Sequence, residues 1–244
     1  MAERNRRRGC MSAIDITGLT KRYGAFPALD GLTLSLPPGQ IVGLLGENGC
    51  GKTTLLKVLA GALTRYEGSA SIHGHAPGPE SKAIVSFLPD ASFLADNSTV
   101  DGCVRQYRDF FADFNEAKAR DLIQFFGLNP AARLSTLSKG MREKVQIALA
   151  MSRDAKVFLL DEPISGVDPA AREVILEAII RDLSPDALVV ISTHLIHDLE
   201  PILDGVAFMR FGKVLLAGAV DDLRAQHGKS IDELFREVYR WSPR

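Results

Sequence analysis

Gly46-Glu47-Asn48-Gly49-Cys50-Gly51-Lys52-Thr53 matches the pattern G-x-x-x-x-G-K-[ST] in full. Each residue type has a physical use. Gly46, Gly49 and Gly51 let the backbone turn so that successive N–H groups face one anion. A helix starting at Lys52 adds its free N–H groups and the positive end of its dipole. Lys52 brings a full positive charge to β- and γ-phosphates, and the Thr53 hydroxyl suits a Mg²⁺ ion. The apolar run Ile41–Leu45 ahead of the loop argues against a chance glycine-rich turn. The chemistry is nucleoside triphosphate binding, and the loop alone does not say which reaction follows.

A metal-bound triphosphate also calls for a carboxylate from a neighbouring strand. Val157-Phe158-Leu159-Leu160, followed by Asp161 and Glu162, supplies one. An unbroken apolar run suits a strand buried on both faces, and its carboxyl end is where α/β sheets bind ligands. Asp161 is placed to hold Mg²⁺, directly or through water. Glu162 is placed to polarise a water against the γ-phosphate. Cys50, beside a helix amino end, is expected to favour thiolate and to react with alkylating agents unless ATP protects it.

Further motifs stand in order around these two. Leu137-Ser138-Lys139-Gly140-Met141 precedes Asp161, and Ser165-Gly166-Val167-Asp168-Pro169 follows it. Ser192-Thr193-His194 closes the apolar run that ends at Ile191, and Tyr23 lies near the start of the chain. Together with the phosphate loop they resemble the signature, D-loop, H-loop and adenine-stacking aromatic of ATP-binding-cassette (ABC) ATPases. The resemblance runs from about Ala13 to Glu237, nearly the whole chain.

That resemblance implies ATP and Mg²⁺ as ligands. Tyr23, Gly46, Glu47, Asn48, Gly49, Cys50, Gly51, Lys52, Thr53 and Thr54 would bind ATP, with Glu162 and His194 catalytic. Ser138, Lys139 and Gly140 would act in trans on the γ-phosphate held by a second ABC ATPase subunit. Asp168 would communicate between the two sites, although Asp168 and Pro169 equally suit an ordinary helix start. The signature departs from the family pattern at Lys139 and Met141, where Gly and Gln are commoner. A larger departure is Phe87-Leu88-Pro89-Asp90. The family usually has Gln at the end of this strand, touching Mg²⁺ and reaching the membrane partner. Asp90 joins Thr53 and Asp161 in the metal set only through that correspondence.

The implied fold is α/β. Its P-loop core is a mostly parallel sheet flanked by helices, with an N-terminal antiparallel β portion and an inserted helical subdomain. Strand patterns at Ile14–Thr17, Leu32–Leu36, Ser69–Ile72, Ile84–Leu88, Ala187–Ile191, Val206–Arg210 and Lys213–Leu216 agree with it. Val100, Cys103, Val104, Tyr107, Phe111 and Phe114 repeat at helical spacing inside the insertion, about 91–150. Ser230 and Glu233 form a capping box for a last helix with Ile231, Leu234, Phe235 and Val238 on one face. The expected boundaries are a basic tail at 1–12, the ATPase domain at 13–237 and a C-terminal tail at 238–244. Four arginines make the first tail basic, which suits a solvated segment or contact with anionic lipid headgroups.

Composition bounds the rest. The chain has 244 residues, 46% hydrophobic and 24% charged, with a formal net charge of −1. A near-neutral chain is a poor nucleic-acid binder, so no such partner is expected. No apolar run approaches the roughly 18 residues of a membrane span, and no secretory signal is visible. Three cysteines without paired spacing fit a reducing cytosol. The expected function is the ATP-hydrolysing subunit of an ABC transporter, exporter-type. It would be peripheral on the cytoplasmic face and would work with membrane-spanning subunits and a second ATPase subunit. The alternative is a soluble ABC ATPase with a non-transport partner. The single cassette and the lack of a long coiled-coil insertion weigh against it. The signature and H-loop weigh against a kinase. Lys52, Asp161, Glu162 and His194 weigh against a catalytically dead module.

Overall fold

Two kinds of strand organise the molecule, whose computed structural model describes residues 12–241. Strands with alternating burial form a three-stranded antiparallel sheet in the order β2-β1-β4. They are β1 (Ile14–Tyr23), β2 (Phe26–Leu36) and β4 (Glu67–Ile72). Runs of mostly buried residues, with β9 as a more exposed edge, form a six-stranded sheet in the order β5-β6-β7-β3-β8-β9. Its members are β3 (Ile41–Leu45), β5 (Val85–Leu88), β6 (Val157–Asp161), β7 (Leu188–Thr193), β8 (Gly205–Arg210) and β9 (Lys213–Ala219). Every neighbour pair here is parallel except β8 with β9. All residues of β6 and β7 are buried, as expected of strands covered on both faces.

The first hairpin is longer than the hydrophobic pattern predicts. Pairing runs to Tyr23 opposite Phe26, and Gly31 donates to the Thr20 hydroxyl at 2.9 Å. Cross-strand bonds hold Lys21 and Arg22 extended although they bury little.

Helices α1 (Lys52–Leu59) and α2 (Pro79–Lys82) follow the early strands, and three more lie between β5 and β6. These are α3 (Val100–Phe110), α4 (Glu116–Phe125) and α5 (Lys139–Met151). Thr99 and Asn115 cap α3 and α4 through their side-chain oxygens, each at 3.0 Å. Tyr107 packs its ring 5.1 Å from Phe111 and 5.6 Å from Phe114, while Phe110 remains 76% exposed. Then come α6 (Pro169–Ile180), α7 (Ile196–Leu199), α8 (Val220–His227) and α9 (Ile231–Trp241).

The C-terminal boundary expected at residue 237 falls inside α9. Phe235 lies 5.3 Å from Phe208 and 4.1 Å from Tyr239, and Tyr239 is buried. The apolar face therefore continues one turn beyond Phe235, and the helix continues with it. Its capping box is formed as the sequence predicts. Ser230 donates its backbone N–H to Glu233 at 2.9 Å, and the Glu233 N–H returns to the Ser230 hydroxyl at 3.2 Å. The basic tail lies outside the described residues apart from Ser12. Among the described residues no helix is long and apolar enough to cross a membrane.

Parallel register sets the site. Leu45 pairs with Thr193, and Asp161 pairs with Ser192. The carboxyl ends of β3, β6 and β7 are thus level. The phosphate loop, the Asp161–Glu162 pair and His194 all emerge at one edge.

Candidate nucleotide-binding site

The loop 46–51 leaves β3 and turns directly into α1. Gly51 adopts φ 111° at the helix start, and a Cβ there would lie 2.4 Å from the Ala28 carbonyl oxygen. Only glycine fits that position. Lys52 is the first residue of α1 and is 5% exposed. Its ammonium donates to the Gly46 carbonyl at 2.8 Å and to the Glu47 carbonyl at 3.3 Å, and it lies 3.4 Å from Glu162 Oε1. Two hydrogen bonds and one ion pair thus hold the ammonium.

Asp161 ends β6 with 1% exposure. Thr53 and Ser192 both donate to its Oδ1, at 3.1 and 2.6 Å. Its Oδ2 is buried without a hydrogen-bond partner. Burial pushes the Asp161 carboxyl above its ordinary range; the two hydroxyl bonds oppose this, and the charges of Asp90 and Glu162 reinforce it. A divalent cation suits such a group, because it answers both the unpaired oxygen and the crowding of negative charge. Thr53 and Asp161 supply the hard oxygen atoms that Mg²⁺ takes. Among the described residues no three acidic, His or Cys side chains form a metal site unaided. Nucleotide oxygens and water would have to complete the coordination.

Glu162 follows with φ 50°, the left-handed region that costs an ordinary residue about 1–2 kcal/mol. The Ser192 carbonyl and hydroxyl, each 3.1 Å from the Glu162 N–H, hold it there. Its Oε2 meets His194 Nδ1 at 3.0 Å. An ionised carboxylate only accepts, so Nδ1 carries the hydrogen and Nε2 is left to face outward. Both Glu162 oxygens are therefore occupied, one by Lys52 and one by His194. A triphosphate competing for Lys52 would release Oε1.

Lys52, Thr53, Glu162 and His194 line a cleft of about 440 Å³. Tyr23, Phe26, Asn48, Gly49, Thr54 and Asp90 complete its wall. Phe26 is 62% exposed and Tyr23 is 52% exposed, so the hairpin end offers two aromatic faces at the cleft mouth. Sequence reasoning found Tyr23 and missed Phe26, whose place follows from strand pairing. It also missed that Ser192 holds both Asp161 and Glu162. A polar residue ending a wholly apolar strand was the available signal.

Cys50 corrects an expectation. Its thiol is 6% exposed and packs into the core behind the loop, outside the cleft wall. Burial raises its pKa and outweighs the opposing Lys52 charge. The thiolate expected from the helix amino end is therefore disfavoured.

Of the signature and D-loop motifs, only Ser165 reaches the cleft wall. Ser138 caps α5, accepting from the Met141 N–H at 3.3 Å. Lys139 is mostly exposed, 3.7 Å from Glu143. Gly140 has only the Val167 side chain near it, at 4.0 Å from where a Cβ would stand. Asp168 caps α6 by accepting from the Ala171 N–H at 3.0 Å. None of the four lines the cleft.

A glycine loop between strand and helix, with a carboxylate at the end of a nearby parallel strand, defines a P-loop nucleoside triphosphatase. Residues 29–165 match the ABC transporter family, and the chain belongs to it. It is 30% identical to the daunorubicin resistance ATP-binding protein DrrA3 of Streptomyces coeruleorubidus, across 93% of this chain and 75% of that one. It is also 30% identical to the Nod factor export ATP-binding protein I of Rhizobium meliloti, across 84% and 64%. A solved ATP-binding subunit of an ABC transporter superposes with a TM-score of 0.83 at 28% identity, covering 93% of this chain and all of that one. The chain is an ATP-binding ABC subunit, an ATPase coupled to transport.

Proposed function

We propose that this subunit binds Mg²⁺–ATP in the cleft, closes on a second ABC ATPase subunit and hydrolyses ATP to drive membrane-spanning export subunits. The observation that carries the proposal is the contact of Lys52, Glu162 and His194 at the mouth of the phosphate loop. Tyr23 and Phe26 stack on the base, while the loop N–H groups, Asn48 and Thr54 surround the phosphates. Lys52 exchanges Glu162 for the γ-phosphate. Glu162 then accepts a proton from the attacking water as its oxygen bonds to phosphorus and the bond to the β-phosphate oxygen breaks. His194 orients that water.

Thr53 and Asp161 would hold Mg²⁺, with Asp90 acting through water. When bound, Mg²⁺ neutralises charge on the β- and γ-oxygens. The exposed amino end of α5, with Ser138, Lys139 and Gly140, is available to the γ-phosphate of the second subunit. Asp168 links the two sites. The relatives named for daunorubicin resistance and Nod factor export support an export direction. Work with membrane partners would place this chain on the cytoplasmic face.

The test is Glu162→Gln, which keeps size and removes the base. With Mg²⁺–ATP it should elute as a dimer on size exclusion and hydrolyse ATP at least about 100-fold more slowly than the wild-type chain. A monomer under all conditions, or normal turnover, sinks the proposal.

A further inference from the structure

We propose that Tyr239 is a positioning residue for the phosphate loop, which it locks from behind through the C-terminal helix. Tyr239 lies on the side of the loop opposite the cleft and is 9% exposed. Its hydroxyl donates to the Met209 carbonyl at the end of β8. The same oxygen packs against the phosphate loop at Gly46, where an added Cβ would stand 3.1 Å away, and the Glu47 backbone acts on it electrostatically. One hydroxyl thus donates to a core strand while it packs against the back of the loop. Burial holds the phenol well above its ordinary pKa, so it keeps the proton it donates.

Neighbouring contacts leave the ring little freedom. A Cβ on Gly46 would stand 3.1 Å from the hydroxyl and 2.6 Å from the Met209 carbonyl oxygen, so close approach at Gly46 admits only glycine. Phe235 stacks 4.1 Å away, and the Arg210 guanidinium lies 5.1 Å from the ring. Arg210 also donates to the Tyr239 carbonyl at 2.9 Å. At the other end of α9, the Glu200 carboxylate accepts from the Ile231 and Asp232 N–H groups at 3.0 and 3.3 Å. Arg224 pairs with the same carboxylate at 2.6 Å. Glu200 follows α7, which follows His194. One helix, fastened at both ends, spans from the segment behind His194 to the back of the phosphate loop.

Tyr239 is not among the residues lining the nucleotide cleft, so its influence on ATP passes through Gly46 and Glu47. Without the hydroxyl, the buried Met209 carbonyl loses a donor and the loop loses the oxygen packed behind Gly46. The loop then has to be ordered by the nucleotide itself. The inference rests on the reading that this loop binds ATP.

Calorimetric titration with Mg²⁺–ATP tests it on the full chain. Four proteins are compared: wild type, Tyr239→Phe, Lys52→Ala and Val220→Ala. The last is a buried site remote from the loop that supplies a general loss of stability. Tyr239→Phe keeps the ring stack and should bind about tenfold more weakly, the equivalent of about 1.4 kcal/mol. Hydrogen exchange at the Glu47 amide should accelerate in Tyr239→Phe and not in Val220→Ala. Wild-type affinity in Tyr239→Phe overturns the inference, as does weakening no greater than in Val220→Ala. Unchanged exchange at Glu47 overturns it too. Lys52→Ala separates the two levels. If it loses ATP while Tyr239→Phe does not, only the role of Tyr239 falls. If Lys52→Ala binds as wild type, the loop reading falls and this inference falls with it.

Discussion

The phosphate-loop cleft and the amino end of α5 are the two regions proposed to meet a triphosphate, and they are prepared in opposite ways. In the cleft Lys52, Glu162 and His194 already answer one another. Lys52 is held by two carbonyls and Glu162, and Glu162 by Lys52 and His194. At α5 the first helical turn has one side-chain cap, Ser138, and Gly140 lies beside nearly open space. A paired cluster of this kind would exchange partners when nucleotide enters. An exposed helix end stores its favourable field until an anion reaches it from elsewhere. In the proposed cycle the contrast separates binding, which one chain would complete, from closure, which would need a second.

Substitution at Lys52 is the strongest way to test the first half of that contrast. Lys52→Ala removes the charge that Glu162 now neutralises, and should lower ATP hydrolysis about 1,000-fold, with matching loss of affinity. Wild-type turnover in a steady-state assay would remove the cleft from the mechanism. Gly140→Asp probes the second half. The open space admits the side chain, and its charge would face an incoming phosphate. At about 5 Å and an effective dielectric near 20, one such repulsion is worth on the order of 3 kcal/mol, roughly 100-fold in turnover. Binding of ATP to the isolated subunit should stay within about twofold of wild type, because Gly140 does not line the cleft. Equal losses of binding and turnover would merge the two regions into one.

Legibility from sequence followed the same division. The loop, Lys52, Thr53 and the Asp161–Glu162 pair are consecutive or nearly so, and their spacing carries the chemistry. His194 was legible as the end of an apolar strand. Phe26 was not, because its place at the cleft mouth depends on its pairing opposite Tyr23 across the hairpin. Tyr239 was assigned to a tail, although it sits four residues beyond Phe235 on the same helical face. What hid it was function at a distance: the contact with the loop joins residues far apart in the chain. The long ends of β1 and β2 were missed because backbone pairing, not apolar alternation, sustains them.

The two faces of the phosphate loop sharpen the comparison at smaller scale. Toward the cleft the loop offers N–H groups, and toward the core it offers the Cys50 thiol. A position beside a helix amino end favours thiolate, and burial opposes it; burial wins. In a Cys10→Ser background, with Cys103 also buried, maleimide labelling at pH 7 should be at least about tenfold slower than for an unhindered thiol. Labelling should accelerate on denaturation. Rapid modification of the native chain, blocked by ATP, would return Cys50 to the front of the loop.

Asp90 stands at the border between the two regions, and the smallest effect is expected there. It lines the cleft together with Lys52 and Thr53. It also borders a small cavity with Glu143 of α5, Asp161 and Glu162. Its negative charge pushes the carboxyls of both Asp161 and Glu143 upward, though burial is the larger cause for each. Two opposing consequences follow for a bound metal. The carboxylate attracts a divalent cation, and it repels the γ-phosphate and Glu162. Asp90 is exposed, so solvent screens both. The residual is about 1 kcal/mol, which corresponds to roughly fivefold in an apparent affinity. Asp90→Asn should therefore raise the Mg²⁺ concentration for half-maximal ATPase by about fivefold, with maximal rate reduced less than in Glu162→Gln. An unchanged Mg²⁺ titration would make Asp90 a solvated loop acid belonging to neither region. A loss of hydrolysis as complete as in Glu162→Gln would mean that the base had been placed on the wrong carboxylate.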